Sequence, residues 1–229
     1  MRILLRSAGG VAPLIHSPGP ARAQRGTWLS GIQAGAVRGS VRLVSEVLEG
    51  WSRRTLASVD GLSESRLQHI AGVARRAASA CGALAIDEAG LVVAAAWLHD
   101  VGYAPGLADT GCHAIDGAQH LRRQGAADEV VGLVAYHSGA VYETAERGLD
   151  ANLAKFSRPP GELLDLLTFA DMTTNDNGRD ISIESRLDGI LDRYVVDDPV
   201  HVAVDAARTH LTAAVRRVED RLAGTRPRS

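Results

Sequence analysis

Two cysteines, Cys81 and Cys112, are all that this 229-residue chain contains. They are too few for a disulfide framework or a cysteine-based zinc site. They read as two small buried hydrophobes, and a reducing cytoplasm is the expected compartment. No apolar run approaches the roughly 20 residues needed to cross a bilayer, because the stretch near Leu91 to Leu98 stops at His99 and Asp100. A formal net charge of -2 gives no global field to hold a nucleic-acid backbone or an anionic membrane. Neither partner is expected. Lysine is almost missing: Lys155 is the single one among 25 basic residues, an arginine- and alanine-rich bias rather than a phosphate-binding design. Also missing are a Gly-Xaa-Ser-Xaa-Gly element, a Walker-type loop, a dinucleotide glycine signature, an internal repeat and a low-complexity tract.

What is present divides the chain in two. Residues 1–40 carry Arg2, Arg6, Arg22, Arg25 and Arg38, and the first acidic residue is Glu46. Glycines and prolines punctuate this stretch, so it is expected to be a disordered or weakly ordered basic extension. A secretion signal is the sharper alternative, but its apolar run, Val11 to Ile15, is broken by Pro13. A natural start downstream, near Val41, is another.

Residues 41–224 are expected to form one all-α domain. Leu67, Ile70, Val73, Ala74, Ala77, Cys81 and Leu84 recur at intervals of three and four, which makes one helix face. Asp87 is a plausible cap for a helix through Leu98 that is apolar all round and therefore central, ended by Gly102 and Pro105. Further helices are predicted at about 114–124, 127–137, 161–174, 182–193 and 199–222. Long connections remain at about 101–112 and 138–160, and loops of that length are more often functional than idle.

The informative feature is a set of ionisable residues on faces that should be buried. Asp171 follows Leu164 by seven and Leu167 by four, so it projects from an apolar stripe, whereas Asp165 on the same helix faces outward. His137 sits likewise behind Val130, Leu133 and Val134. His99 and Asp100 close the most hydrophobic helix, and His69 flanks its own stripe one turn before Val73. Taken singly, each has a bland explanation as a hydrogen-bonded core histidine or an arginine-paired aspartate. Together they are the borderline nitrogen and hard oxygen donors that suit zinc, iron or manganese, and unpaired carboxylates in a dry interior need a cation.

His69, then Trp-Leu-His-Asp-Val-Gly with His99 and Asp100, then Phe-Ala-Asp-Met with Asp171, resembles the HD superfamily of metal-dependent phosphohydrolases over about residues 60–175. The resemblance implies that His69, His99, Asp100 and Asp171 hold one divalent ion. Members with two ions add two histidines, and His113 and His137 stand where those fall, with Asp100 bridging. Mn, Fe, Co, Zn and Mg are all candidates. The implied activity is hydrolysis of a small phosphorylated molecule or nucleotide by a metal-activated water, with His99 and Asp100 at its centre. A di-iron oxygenase and a nucleotide-binding regulatory domain without turnover are the alternatives.

Many members carry a basic residue shortly after the His-Asp-Xaa-Gly segment and a later His-His pair. Here Tyr103 and Tyr136-His137 stand in those places. Substrate contacts are assigned to the long loops: Arg147 and Arg158 for bidentate phosphate recognition, Glu143 for proton transfer or a hydrogen bond, and Tyr136 as a donor to substrate or plain packing. His120, seven residues beyond His113 and about 10 Å away along a helix, is assigned to the surface or to a supporting position. His16, His201 and His210 are read as unrelated to the site.

Overall fold

Serine and aspartate caps start three of the helices that build the domain. Ser63 accepts a hydrogen bond from the Arg66 amide and opens α2 (Glu64–Ala83), with Glu64 in the first turn against the positive end of the helix dipole. Ser182 does the same for α9 (Ile183–Leu191) through the Ser185 amide. Asp198 caps α10 (Pro199–Gly224), whose first residue is a proline with no amide to leave unpaired.

The computed structural model describes residues 34–225, and among these it shows α-helices and short 3-10 turns with no strand. The remaining elements are α1 (Ala34–Ala57), α3 (Ala89–Leu98), α4 (His113–Arg123), α5 (Asp128–Tyr136), α6 (Ala140–Glu146), α7 (Asp150–Leu153) and α8 (Gly161–Met172). The all-α expectation holds. No helix among the described residues is long and apolar enough to cross a membrane. Residues 1–33 of the expected extension lie outside the described residues, and residues 34–40 belong to α1.

Helix α3 is the axis of the core, as its unbroken apolarity predicts. Val92, Ala94, Ala95, Ala96 and Leu98 are fully buried, and the helix lies against α1, α2, α5 and α8. Its small alanines let those neighbours approach closely. The helices that carry His69 (α2), His137 (α5) and Asp171 (α8) therefore all pack on α3.

Two expectations need correction. Asp87 does not cap α3, which starts at Ala89 with Glu88 at the cap position and no side-chain cap bond. The chain leaves α2 through a left-handed Ala85 (φ 51°), with the Ile86 amide bonded back to the Cys81 carbonyl, and this turn sets the start of α3. The stretch 138–160 is not one long loop, since it holds a 3-10 turn at His137–Gly139 and the helices α6 and α7. Helices of seven and four residues make too few turns to show a period of 3.6. Tertiary contacts, with Leu153 and Phe156 buried in the core, hold them instead.

Candidate metal centre

Five helices deliver six donors to one place. His69 is buried in the second turn of α2, on the face that also carries Val73. His99 and Asp100 follow the last residue of α3, and the chain then turns at Val101–Tyr103. That turn crosses α4 at closest range at Gly102, where a Cβ would lie 1.9 Å from the His113 carbonyl oxygen and 2.6 Å from the Gly117 nitrogen. Only glycine lets the His-Asp turn touch the start of α4, which brings His113, the first residue of that helix, beside Asp100. His137 ends α5, and Asp171 sits on the buried face of α8.

The donors form two triads: His69, His99 and Asp171, and Asp100, His113 and His137. In the first, Asp171 Oδ1 lies 3.0 Å from His69 Nε2 and 3.9 Å from His99 Nε2. In the second, Asp100 Oδ1 lies 3.6 Å from His113 Nε2 and 3.9 Å from His137 Nε2, and the two imidazole nitrogens are 3.2 Å apart. Asp100 Oδ2 faces the first triad, 3.4 Å from His99 Nε2 and 3.9 Å from His69 Nε2. The two oxygens of one carboxylate thus address the two triads.

The tautomers show what the cluster can accept. A carbonyl oxygen only accepts, so Nδ1 of His69 donates to Asn175, Nδ1 of His99 to Ala96 and Nδ1 of His137 to Val134. In a neutral ring the remaining Nε2 is then a lone pair: that of His69 accepts from Arg186 Nη2 at 3.3 Å, while those of His99 and His137 point at carboxylate oxygens or at another imidazole nitrogen. His99 Nε2 is buried with no hydrogen-bond partner. Lone pairs facing anionic oxygens repel unless a cation lies among them. Backbone carbonyls holding the far nitrogen of each ring are also the usual support for metal-binding histidines. The donor set therefore fits a divalent ion.

Electrostatics point the same way. Burial pushes the His99 imidazole down to about 4 and the His113 imidazole down to about 3. Burial alone would raise the Asp100 carboxyl, but His99, Arg66 and His113 outweigh it and hold it well below the usual range. Burial would raise Asp171 as well, but the neighbouring His69, His99 and Arg186 outweigh it and hold that carboxyl low. Neutral imidazoles beside ionised carboxylates are the protonation states that bind metal.

Several neighbours that sequence reasoning did not single out complete the cluster. Arg66 Nη1 bonds Asp100 Oδ2 at 2.5 Å, and its guanidinium lies over the Tyr103 ring at 4.1 Å. Tyr103 in turn stacks on His113, with centroids 4.1 Å apart and planes 15° apart. The clue to Arg66 was its place three residues before His69, on the same helix face. Arg186, buried on α9, lies 3.7 Å from Asp171 Oδ1 and 2.7 Å from Asp176 Oδ1. No local spacing could have indicated it. Ser138 adopts a left-handed backbone (φ 44°, ψ 41°) and donates its hydroxyl to Asp171 Oδ2.

The loop residues expected at the substrate divide. Glu143 is brought to the cluster, 3.9 Å from His113 Nδ1, and Arg147 is bound to it at 2.7 Å. Tyr136 and Arg158 are not. The Tyr136 hydroxyl turns away to the carbonyls of Leu153 and Phe156, and Arg158 covers its ring at 5.6 Å. Arg158 lines a separate hollow with Asp128 and Glu129. His120 is partly buried on α4, and His201 faces the carbonyls that end α9. Asp165 is not a free surface group: it forms a bidentate pair with Arg217 of α10, both contacts 2.7 Å.

The family model described as HD domain matches residues 66–194, just over half of the chain. No curated protein and no solved structure matches it.

Proposed function

The chain belongs to the HD domain family, and from that premise we propose that it is a metal-dependent phosphohydrolase acting on a small phosphorylated molecule. His69, His99 and Asp171 would hold one divalent ion and His113 and His137 a second, with Asp100 shared between them. Bound there, such ions supply Lewis acidity for a phosphoryl oxygen and lower the pKa of a water.

The observation that carries the phosphoryl assignment is the charge balance around the donors. Asp100 pairs with Arg66, Asp171 and Asp176 with Arg186, Asp176 also with Arg193, and Glu143 with Arg147. Four carboxylates face four guanidinium groups, so the shell is neutral before a divalent ion enters and positive afterwards. A doubly charged phosphomonoester offsets half of the charge that two divalent ions bring, and a neutral substrate offsets none of it. Arg66 orients it, because stacking on Tyr103 presents the planar fork to the pocket, where arginine pairs two phosphate oxygens at once. This arginine stands in for the basic residue that is missing after His-Asp-Val-Gly. Glu143 holds the His113 ring from its Nδ1 side, and Ser138 holds Asp171.

Phosphate release from a panel of phosphomonoesters and nucleotides, with manganese or cobalt supplied, is the test. Turnover that falls in Arg66→Ala supports the proposal. Bound iron together with substrate-dependent oxygen consumption and no phosphate release would decide for the oxygenase instead.

A further inference from the structure

The pocket above the donors is lined on two sides by different chemistry. Asp100, His113, His137 and Asp171 form one side, with Arg66 at its edge. The same pocket is lined from α10 by Val200, Ala203, Val204 and Ala207, spaced three, one and three apart and so forming one stripe of the helix, with Ile190 and Met172 also lining it. None of these six side chains carries a donor, and the weakly accepting Met172 thioether is the one polar atom among them. The polar side chains between the two sides are already engaged: Ser138 with Asp171, Arg186 and Arg193 with Asp176, and Glu143 with Arg147. Tyr194 adds a hydroxyl at the rim.

We infer that the group carried by the phosphoryl end of the substrate is apolar: the pocket takes the phosphomonoester of an aliphatic or alicyclic alcohol in preference to that of a sugar or nucleoside. The inference rests on the phosphohydrolase reading and extends it to the leaving group. A hydroxyl-rich group placed against the α10 stripe gives up its water without gaining partners. A hydrocarbon of the same size replaces that water at a gain. A dry wall also strengthens the charge interactions opposite it, so the stripe could serve water exclusion alone. Binding separates these two roles, because exclusion alone is indifferent to the size of the hydrocarbon.

Cyclohexyl phosphate and myo-inositol 1-phosphate share a six-carbon ring and differ in hydroxyl groups. With the manganese-loaded full chain, kcat/KM for cyclohexyl phosphate should be higher by about 10-fold or more. Calorimetry on the same protein should show cyclohexylphosphonate, which cannot be hydrolysed, binding at least about 10-fold more tightly than methylphosphonate. Val204→Asn, at a partly exposed position of the stripe, should move both ratios toward one while the circular dichroism spectrum is retained. Equal affinity for the two phosphonates, or a kcat/KM that favours the inositol ester, overturns the inference and leaves the phosphohydrolase reading standing. Phosphate release from neither ester, nor from any other in the panel, overturns both.

Discussion

Asp100 is the residue on which the candidate centre depends most, because its two oxygens face different triads. Asp100→Asn keeps the shape and removes the charge, so turnover should fall by more than about 100-fold, beyond the usual loss for a supporting residue. Asp165→Asn is the matched control and should keep near-normal turnover. Its pair with Arg217 is largely at the surface, so the stability loss should be at most about 1 kcal/mol by urea unfolding. Gly102 carries a different burden, since the contact with the His113 carbonyl leaves no room for a methyl group. Gly102→Ala should destabilise the fold by about 1–3 kcal/mol or more, as overpacking does, and should lower metal content as α4 is pushed from Asp100. Normal stability and full metal content in that variant would show that the turn can move.

At the scale of elements, the centre exists because helix ends meet. The first residue of α4 and the residue that ends α5 place His113 and His137 in contact, while α2, α3 and α8 supply the other triad. His113→Ala and His137→Ala should therefore each lose about one equivalent of metal with the fold intact, whereas His69→Ala should weaken the other site. Elemental analysis of the purified variants checks this, and wild-type activity with one ion and no effect of His137→Ala would reduce the centre to a single site. The turn after α8 is equally particular. It runs so close to α2 that a Cβ on Gly72 would lie 2.5 Å from the Gly178 Cα, and that approach lets the Asn175 carbonyl accept from His69.

For the whole molecule, the buried imidazoles tie stability to pH. His99 and His113 titrate at about 4 and about 3 in the folded chain, below the ordinary value near 6.5. Between these limits the unfolded chain binds protons that the folded chain does not, so stability rises with pH there and is lost as pH falls from about 6.5 toward 4. Asp100 and Asp171, also held low, add a further loss below about pH 4. Urea midpoints of the metal-free protein should be flat from pH 7 to 8 and fall steadily below 6.5, and a midpoint unchanged down to pH 5 would contradict the burial of these rings. A divalent ion that binds only the folded state should raise stability by about 2.7 kcal/mol per site at a hundred times its dissociation constant. Thermal melts with and without manganese would measure it.

Periodicity by itself determined the all-α class, the central place of α3 and the buried faces from which His69, His137 and Asp171 project, because burial of an apolar stripe is a local property of residues three and four apart. The spaced His, His-Asp and Asp pattern identified four donors for the same reason: they come from three helices, His99 and Asp100 together from the end of α3, in positions that sequence spacing defines. Tertiary structure decided the rest. Arg66 gave only the hint of its place on the His69 face, and Arg186 and Ser138 gave none, since what brings them to Asp171 is the packing of α9 and a left-handed turn after α5. Tyr136 and Arg158 were drawn away by carbonyls and a ring that no spacing reveals. Glu143 and Arg147 are an i,i+4 pair that spacing allows, but the pairing of Asp100 with Arg66, of Asp171 and Asp176 with Arg186, and the place of the apolar α10 stripe in the same pocket join different elements, where backbone periodicity carries no information and only the packed chain chooses partners.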